Sequence, residues 1–412
     1  MRNRMLFWLI ISALFLSEWY GFQAVRTITQ HQSANVRRAV AIGYWLLSLT
    51  VWIVAFWAGS TRKTGNTHLK SYLMSLPLLL LAGKLFVIIP LLLEDFTRLI
   101  RWVAGLVTRP AGSPGEPIPR SEFLSKLALG LGAIPFTALL WGMLKGATDY
   151  KVRRVTLRYP NLPPAFDGFK VLQISDLHTG SFSSTEPLER AVALINQQGA
   201  DLVLMTGDLV NNIATEVEPH MAALSKIKAP LPVFSSLGNH DYGDYVQWES
   251  REEKQANLQR LMQNHAKMGW RLLNDESHII TRGEDKIAVL GVQNWSSHAN
   301  FPRYGNLPKA HAGSGDAPFK ILLSHDPSHW EAEVLNYPDI DLTLSGHTHG
   351  MQFGVNLPFL KWSPVQYVYK QWAGLYEQGR QRLYVNTGLG YLAYPGRVGF
   401  LPEITVFELR RA

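Results

Sequence analysis

Val40–Ala58 is a run of about 19 mostly apolar residues without a single charge, close to the length an α-helix needs to cross the hydrocarbon of a bilayer. A chain containing such a run must bury it in lipid or in a large core. It is not alone. Met5–Val25 is apolar behind Arg2 and Arg4, and it has no small-x-small cleavage site. It therefore reads as an uncleaved first helix rather than a leader. Tyr72–Leu93 is apolar but interrupted by Pro77, Lys84 and Pro90, and Phe123–Leu144 contains Lys126 and Pro135. Lys84 is costly at mid-membrane unless it snorkels or pairs, so it is expected to face other helices. Residues 1–150 thus read as a transmembrane region of about four helices (5–25, 40–58, 72–93 and 123–144). Phe96–Val107, with Arg98 and Arg101 among apolar residues, reads as an interfacial amphipathic helix. Pro110–Pro119 reads as a flexible loop.

The charge is unevenly spread. The net charge is +8. Residues 1–150 hold 15 Lys and Arg against 6 Asp and Glu, and residues 151–412 hold 25 against 26. The basic excess belongs to the membrane region, and the near-neutral remainder does not read as a nucleic-acid binder. Four spans put both ends of the region on one side. That side has ten basic residues near the spans (Arg2, Arg4, Arg62, Lys63, Lys70, Lys145, Lys151, Arg153, Arg154, Arg158) and the other has eight, which favours a cytoplasmic C-terminal domain. With no cysteine, thiolate metal sites, disulfides and cysteine nucleophiles are excluded.

From Lys151 the pattern changes. Lys151–Tyr159 alternates basic and apolar residues and predicts a strand near the membrane surface. Asn161–Gly168 is a turn-rich connector. Strands are then predicted at 170–175, 201–205, 232–236, 270–273, 279–281, 287–292, 319–323, 342–344, 383–386 and 403–409. Helices are predicted at 186–198, 216–226, 247–268 and 330–335. Residues 151–412 therefore form an α/β domain with a β-rich end.

Five of these strands end in metal-ligand residue types. Ile174 is followed by Ser175-Asp176-Leu177-His178, Met205 by Thr206-Gly207-Asp208, and Ser236 by Leu237-Gly238-Asn239-His240-Asp241. Leu323 leads to Ser324-His325-Asp326, and Leu344 to Ser345-Gly346-His347-Thr348-His349-Gly350. In α/β sheets ligands collect beyond the carboxyl ends of strands. Residues two apart in an extended segment, such as Asp176 and His178, point the same way. Carboxylate, imidazole and amide donors without sulfur suit Mn, Fe, Zn or a mixed pair. One such group alone is an ordinary turn. Five in succession define a site.

D-x-H, G-D, G-N-H-D, a lone His and G-H-x-H, in this order, resemble the calcineurin-like metallophosphoesterase superfamily. The likeness covers about residues 169–410, and the four preceding spans are similar to its membrane-anchored branch. The resemblance implies a metallophosphoesterase-type β-sandwich flanked by helices, holding two divalent metal ions. Asp176, His178 and His349 would bind the first ion. Asn239, His325 and His347 would bind the second, with Asp208 shared. His240 would act as general acid or electrostatic stabiliser, and Asp241 would orient it.

The resemblance also implies a phosphohydrolase, expected to prefer a phosphodiester or pyrophosphate over a monoester. The substrate would be a phosphate-containing small molecule or lipid, in a lipid-linked or nucleotide form. Met351–Tyr376 is rich in aromatic residues, expected either to pack in a core and hairpin or to form a wall toward the membrane. Trp295–Pro308 is a second candidate rim. Arg397 is a candidate for binding a substrate phosphate, because a guanidinium offers paired donors to oxyanions, or for a structural ion pair. A non-catalytic scaffold would lack ligands or His240, and all are present. A transporter or receptor would carry more polar residues in its spans.

Overall fold

The computed structural model describes residues 2–60, 67–108 and 118–412. The chain divides into two compact units, Met1–Trp141 and Gly142–Ala412.

The first unit contains helices α1 (Arg2–Ile28), α2 (Ala34–Ser60), α3 (Thr67–Thr108) and most of α4 (Glu122–Leu144). Among the described residues three segments are long and apolar enough to cross a membrane: α2, His68–Gly105 within α3, and α4. Their outward faces are rich in exposed Leu, Ile, Phe and Trp, as lipid-facing helices require.

One sequence expectation is corrected here. Tyr72–Leu93 and Phe96–Val107 are not a span followed by a separate interfacial helix. They lie in one 42-residue helix that runs through Pro77 and Pro90, since membrane helices absorb the bonds a proline removes. Arg98 turns inward to Asp95 (2.7 Å) and to the Ile118 carbonyl (2.6 and 3.0 Å). The lysine in the third span faces another helix. Lys84 on α3 pairs with Glu18 on α1; Glu18 is buried and Lys84 partly so. Trp52 Nε1 on α2 donates to the same Glu18 carboxylate (3.1 Å), and Tyr44 Oη donates to the Glu18 carbonyl (2.9 Å). A charge in hydrocarbon needs a counter-charge and donors, and Glu18 supplies the counter-charge. The expected loop at Pro110–Pro119 falls largely outside the described residues.

The second unit is built from two six-stranded sheets. Its strands are β1 (Lys151–Tyr159), β2 (Lys170–Ile174), β3 (Leu202–Thr206), β4 (Phe234–Ser236), β5 (Arg271–Leu272), β6 (Glu276–Arg282) and β7 (Asp285–Gly291). These are followed by β8 (Lys320–Leu323), β9 (Leu342–Ser345), β10 (Val355–Leu357), β11 (Leu360–Trp362), β12 (Gly374–Gln378), β13 (Gln381–Val385) and β14 (Glu403–Arg411). One sheet has the order β1-β14-β2-β3-β4-β5 and the other β12-β13-β9-β8-β7-β6, while β10 and β11 pair alone. Side-chain alternation decides what each strand buries. Val171, Leu202, Leu204 and Phe234 from the first sheet meet Val289, Ile321, Leu323 and Leu342 from the second in one core. The intervening residues face outward. Leu172, Val203 and Met205 lie in one outer cluster with Val192 and Ile195 of α5 (Glu186–Asn196) and Leu261 of a later helix, Arg251–Lys267. Leu290, Leu322 and Leu383 pack with Trp330 in the other. Both faces of these strands are buried, so their sequences are continuous apolar runs.

Within the first sheet β2, β3 and β4 are parallel, and within the second β7, β8, β9 and β13 are parallel. The loops following β2, β3, β4, β8 and β9 come together, as the contacts below show. The predicted helix at 216–226 is instead two single 3₁₀ turns and the short segment Met221–Leu224, because Pro219 lacks the N–H that a continuous helix would use.

His265 is completely buried behind the first sheet. Ser235 Oγ lies 2.9 Å from its Nδ1, and its Nε2 has no partner. Burial pulls its pKa down to about 4. The folded state therefore holds a neutral ring where the unfolded chain protonates near pH 6.5. Its stabilising effect is complete above that pH and is lost as pH falls toward 4, amounting to about 3 kcal/mol. Chemical denaturation across this range should show His265→Leu losing less stability on acidification than the unsubstituted protein, by about that amount.

Candidate metal centre

Asp176, His178, Asp208, Asn239, His325 and His349 are all buried, and His347 is nearly so. They fall into two groups of converging ligand atoms: Asp176, His178 and His349 in one, and Asp208, His325 and His347 in the other. Asp208 also reaches the first group, its Oδ2 lying 3.0 Å from His325 Nε2 and 3.6 Å from His178 Nε2. His178 Nε2 and His349 Nε2 are 3.1 Å apart, and Asp176 Oδ1 is 3.1 Å from His349 Nε2. Donor atoms about 2.1 Å from a shared ion stand roughly 3–3.4 Å from each other. Asn239 Oδ1 lies 2.8 Å from His347 Nδ1, beside the second group.

The backbone is bent to make this possible. Asp176, His178, Asp208, His347 and His349 all have φ between 44° and 69°. Left-handed backbone costs a residue with a Cβ about 1 kcal/mol or more. The main chain compensates with a network of hydrogen bonds. Asp176 N donates to the Gly207 carbonyl (3.0 Å), His178 N to the Asp208 carbonyl (3.1 Å) and Gly390 N to the Asp176 carbonyl (2.8 Å). His347 N donates to both Asp176 carboxylate oxygens (3.0 and 3.1 Å). Gly346 is required at its position, since a Cβ there would run into Ser175 Oγ and Asp176 Oδ2.

The electrostatics of the side chains show what the site can accept. Burial by itself would raise both carboxyls, but the imidazoles outweigh it. His349 and His325 hold Asp176 well below the usual carboxylate range, and His325 and His240 do the same for Asp208. His325 has the reverse balance. Burial would lower it, while the Asp208 and Asp176 carboxylates raise it to about 10. The two carboxylates thus draw positive charge into a dry cavity. His325 Nδ1 donates to the Thr206 carbonyl (2.7 Å), and its Nε2, aimed at Asp208, has no hydrogen-bond partner. An all-oxygen and nitrogen donor set of this kind, buried and convergent, fits a pair of divalent ions.

His240 sits at the rim, half-buried. Its N–H donates to Asp208 Oδ1 (2.8 Å), and its Nδ1–H donates to the Asn211 carbonyl (2.6 Å). The expectation that Asp241 orients the His240 ring is therefore corrected. Asp241 accepts from the N–H groups of Asp208 (2.9 Å), Leu209 (2.9 Å), Val210 (3.3 Å) and Gly238 (2.8 Å), and so shapes the Asp208 turn. Burial and the neighbouring Asp208 push its carboxyl up to about 7.

Of the two roles open to Arg397, its surroundings favour the structural one, through hydrogen bonds rather than an ion pair. Arg397 is fully buried. Its guanidinium donates to the carbonyls of Gly390, Thr387 and Phe400 and to His349 Nδ1 (2.9 Å), which leaves it no donor for a substrate phosphate. It orients a candidate ligand instead. Asp326 and Tyr369 were not assigned to the site from sequence. Tyr369 Oη is 2.8 Å from His347 Nε2 and 3.4 Å from Asp326 Oδ2, and Asp326 Oδ2 is 3.5 Å from His347 Nε2. Together they hold the outer edge of that ring, as partners of metal-binding imidazoles do. Adjacency to His325 was the only available signal for Asp326.

Two apposed sheets with buried Asp, His and Asn at the ends of their parallel strands are the plan of a metallophosphoesterase. The chain belongs to the calcineurin-like metallophosphoesterase family. Residues 169–351 match the family model described as calcineurin-like phosphoesterase, and residues 2–147 match that described as its probable transmembrane domain. The chain is 34% identical to the metallophosphoesterase YkuE of Bacillus subtilis over 309 residues, 72% of this chain and 99% of that one. It is 29% identical to a zebrafish (Danio rerio) transmembrane protein with metallophosphoesterase domain, over 68% of this chain and 62% of that one. It is also 29% identical to the Escherichia coli phosphodiesterase YaeI, over 58% and 82% of the two chains.

Removing the Arg397 guanidinium strands several buried carbonyls. Arg397→Met should lower stability by about 3 kcal/mol and weaken metal binding about 10-fold or more through His349. Thermal melting and metal titration of the purified protein check the two effects separately.

Proposed function

We propose that the protein is a membrane-anchored, dinuclear-metal phosphohydrolase acting on a phosphodiester or pyrophosphate. The observation that carries this reading is the pair of ligand groups joined at Asp208, with the His240 ring at their edge. In this reading Asp176, His178 and His349 would hold one ion and Asn239, His325 and His347 the other, with Asp208, whose carboxylate approaches both groups, shared between them. The donor set would suit Mn, Fe, Zn or a mixed pair. When bound, two such ions acidify a water and offset charge on the phosphate oxygens.

The chain's own residues do the rest. Asp208 accepts the His240 backbone N–H, so the ring keeps a constant position relative to the ligands. The Asn211 carbonyl holds Nδ1–H, which leaves Nε2 turned away from that bond and available to the leaving oxygen. A proton delivered from Nε2 is worth roughly 10²–10⁴ in rate. The ring of Tyr245, 4.6 Å from that of His240, and the hydroxyl it presents to Asn239 Nδ2 (2.8 Å) line the approach. Withdrawal of Arg397 from the substrate supports a diester, since a monoester carries a second negative charge that a free guanidinium would answer. The name of the E. coli relative, a phosphodiesterase, agrees with this preference. The excess of basic residues flanking the spans supports a cytoplasmic catalytic domain.

His240→Ala should keep both metals and lose at least 100-fold in turnover of bis-p-nitrophenyl phosphate. Asp208→Asn should lose both metals by elemental analysis. Metal-loaded protein should hydrolyse this diester faster than p-nitrophenyl phosphate. No turnover of either ester would overturn the enzymatic reading, and full metal occupancy in Asp208→Asn would overturn the bridging role.

A further inference from the structure

The strands β10 and β11 form a hairpin that belongs to neither six-stranded sheet. Leu357 pairs with Leu360 at its tip, and Pro358 and Phe359 make the turn. An isolated two-stranded ribbon is marginal in water, and this one displays its apolar side chains. Phe359 is 85% exposed, and Leu357 and Leu360 are about half exposed. Tyr367 (76%), Val368 (60%) and Met351 (55%) continue the same exposed stretch. In the second unit every exposed Leu, Ile, Val, Met, Phe or Trp lies between Met351 and Val368, apart from Leu144 and Leu375. Concentrated exposure of this kind marks a contact surface rather than ordinary scatter.

Two chains of contacts indicate the partner. The first leads to the membrane. Val398 bridges Phe353 at the base of the hairpin, and Gly354 N donates to the Val398 carbonyl (3.0 Å). The adjacent Arg397 N donates to the carbonyl of Gly142 (3.2 Å), two residues before the end of the apolar helix α4. A Cβ at Gly142 would lie within 3 Å of Val398 Cγ2, the Arg397 carbonyl and Tyr394 Oη. The hairpin base is thus one backbone link from the point where the chain leaves α4. Trp362 and Tyr367, joined by an Nε1–H to Oη bond (3.3 Å), are the aromatic types that favour the headgroup region. The second chain leads to the ligands. Met351 follows His349 by two residues, and Tyr369, bonded to His347, follows Val368.

We propose that this hairpin, with Tyr367 and Val368, inserts into the lipid surface and borders the site, so that the substrate is a phosphate ester carried by a lipid. The substrate class rests on the hydrolytic reading above; the insertion does not. In the reaction, water oxygen forms the new bond to phosphorus, the ester P–O bond breaks, and the departing oxygen takes a proton. The apolar arm of the ester stays in the bilayer beside Phe359.

The absence of cysteine allows an environment-sensitive nitrobenzoxadiazole label to be placed at one position. Full-length Phe359→Cys, labelled and reconstituted in nanodiscs containing nitroxide-bearing phosphatidylcholine, should lose most of its fluorescence. Glu284→Cys is the control. Glu284 is exposed in the turn leading into β7, whose parallel neighbour β8 carries His325 just beyond its opposite, carboxyl end. It should be unaffected. Equal fluorescence at the two positions would overturn insertion, whether the patch is open to water or covered by another copy of the chain. In the same nanodiscs, hexadecyl p-nitrophenyl phosphate should be hydrolysed with roughly tenfold or more the efficiency of methyl p-nitrophenyl phosphate. Phe359→Ser should remove most of that advantage while leaving the methyl ester unchanged. Equal turnover of the two esters by the unsubstituted protein would overturn the lipid substrate alone. No turnover of either would overturn the hydrolytic reading and leave the label to decide insertion.

Discussion

Two carboxylates, Asp176 and Asp208, lie in a cavity from which water is excluded. Buried charge of this kind is tolerated only when opposite charge and hydrogen bonds surround it, and much of the second unit answers that demand. The imidazoles of His178, His325 and His349 crowd the carboxylate oxygens at 3.0–3.6 Å. The main chain takes up left-handed conformations at five residues so that these groups converge. Asp241 spends its oxygens on the N–H groups of the Asp208 and Gly238 turns. Arg397 and the Tyr369–Asp326 pair hold the outer edges of His349 and His347. Local strain is stored at the ligands and offset by the packing around them.

The sandwich explains why such strain can be sustained. Strands β2, β3, β8 and β9 are buried on both faces, between the shared core and an outer layer. Strands clamped in this way end rigidly, so the turns beyond them are held to one geometry. Gln173 adds a polar tie between the sheets, donating from β2 to Thr206 Oγ1 (3.0 Å) and to the Ser345 carbonyl (2.9 Å). The ligands of one group thus come from both sheets, and neither sheet alone completes the site.

Much of this was legible in the residues. The parallel strands read as apolar runs because both their faces are buried. The five ligand groups read as one site because each follows such a run directly. The helix over 216–226 was not legible in its true form, since apolar spacing there concealed the interruption at Pro219. The strands of the hairpin were likewise hidden within an aromatic stretch, because period-two alternation over three residues is too short to register. In the membrane unit the apolar runs located the helices. Continuity of α3 through two prolines did not show, because lost helical bonds are compensated by neighbours that sequence does not display.

The sequence by itself determined a lipid-embedded region, an α/β domain and the chemistry of the donor atoms, since apolar length, side-chain period and residue type are local properties. Tertiary structure decided the partners. Lys84 required a counter-charge, and only packing of α1 against α3 identified Glu18. Asp241 and Arg397 both have charges suited to a catalytic role. The fold instead turned one onto backbone amides and the other onto carbonyls and His349, because a buried charge takes its donors and acceptors from whatever the chain brings within about 3 Å. That distance is set by folding, and no spacing along the sequence encodes it.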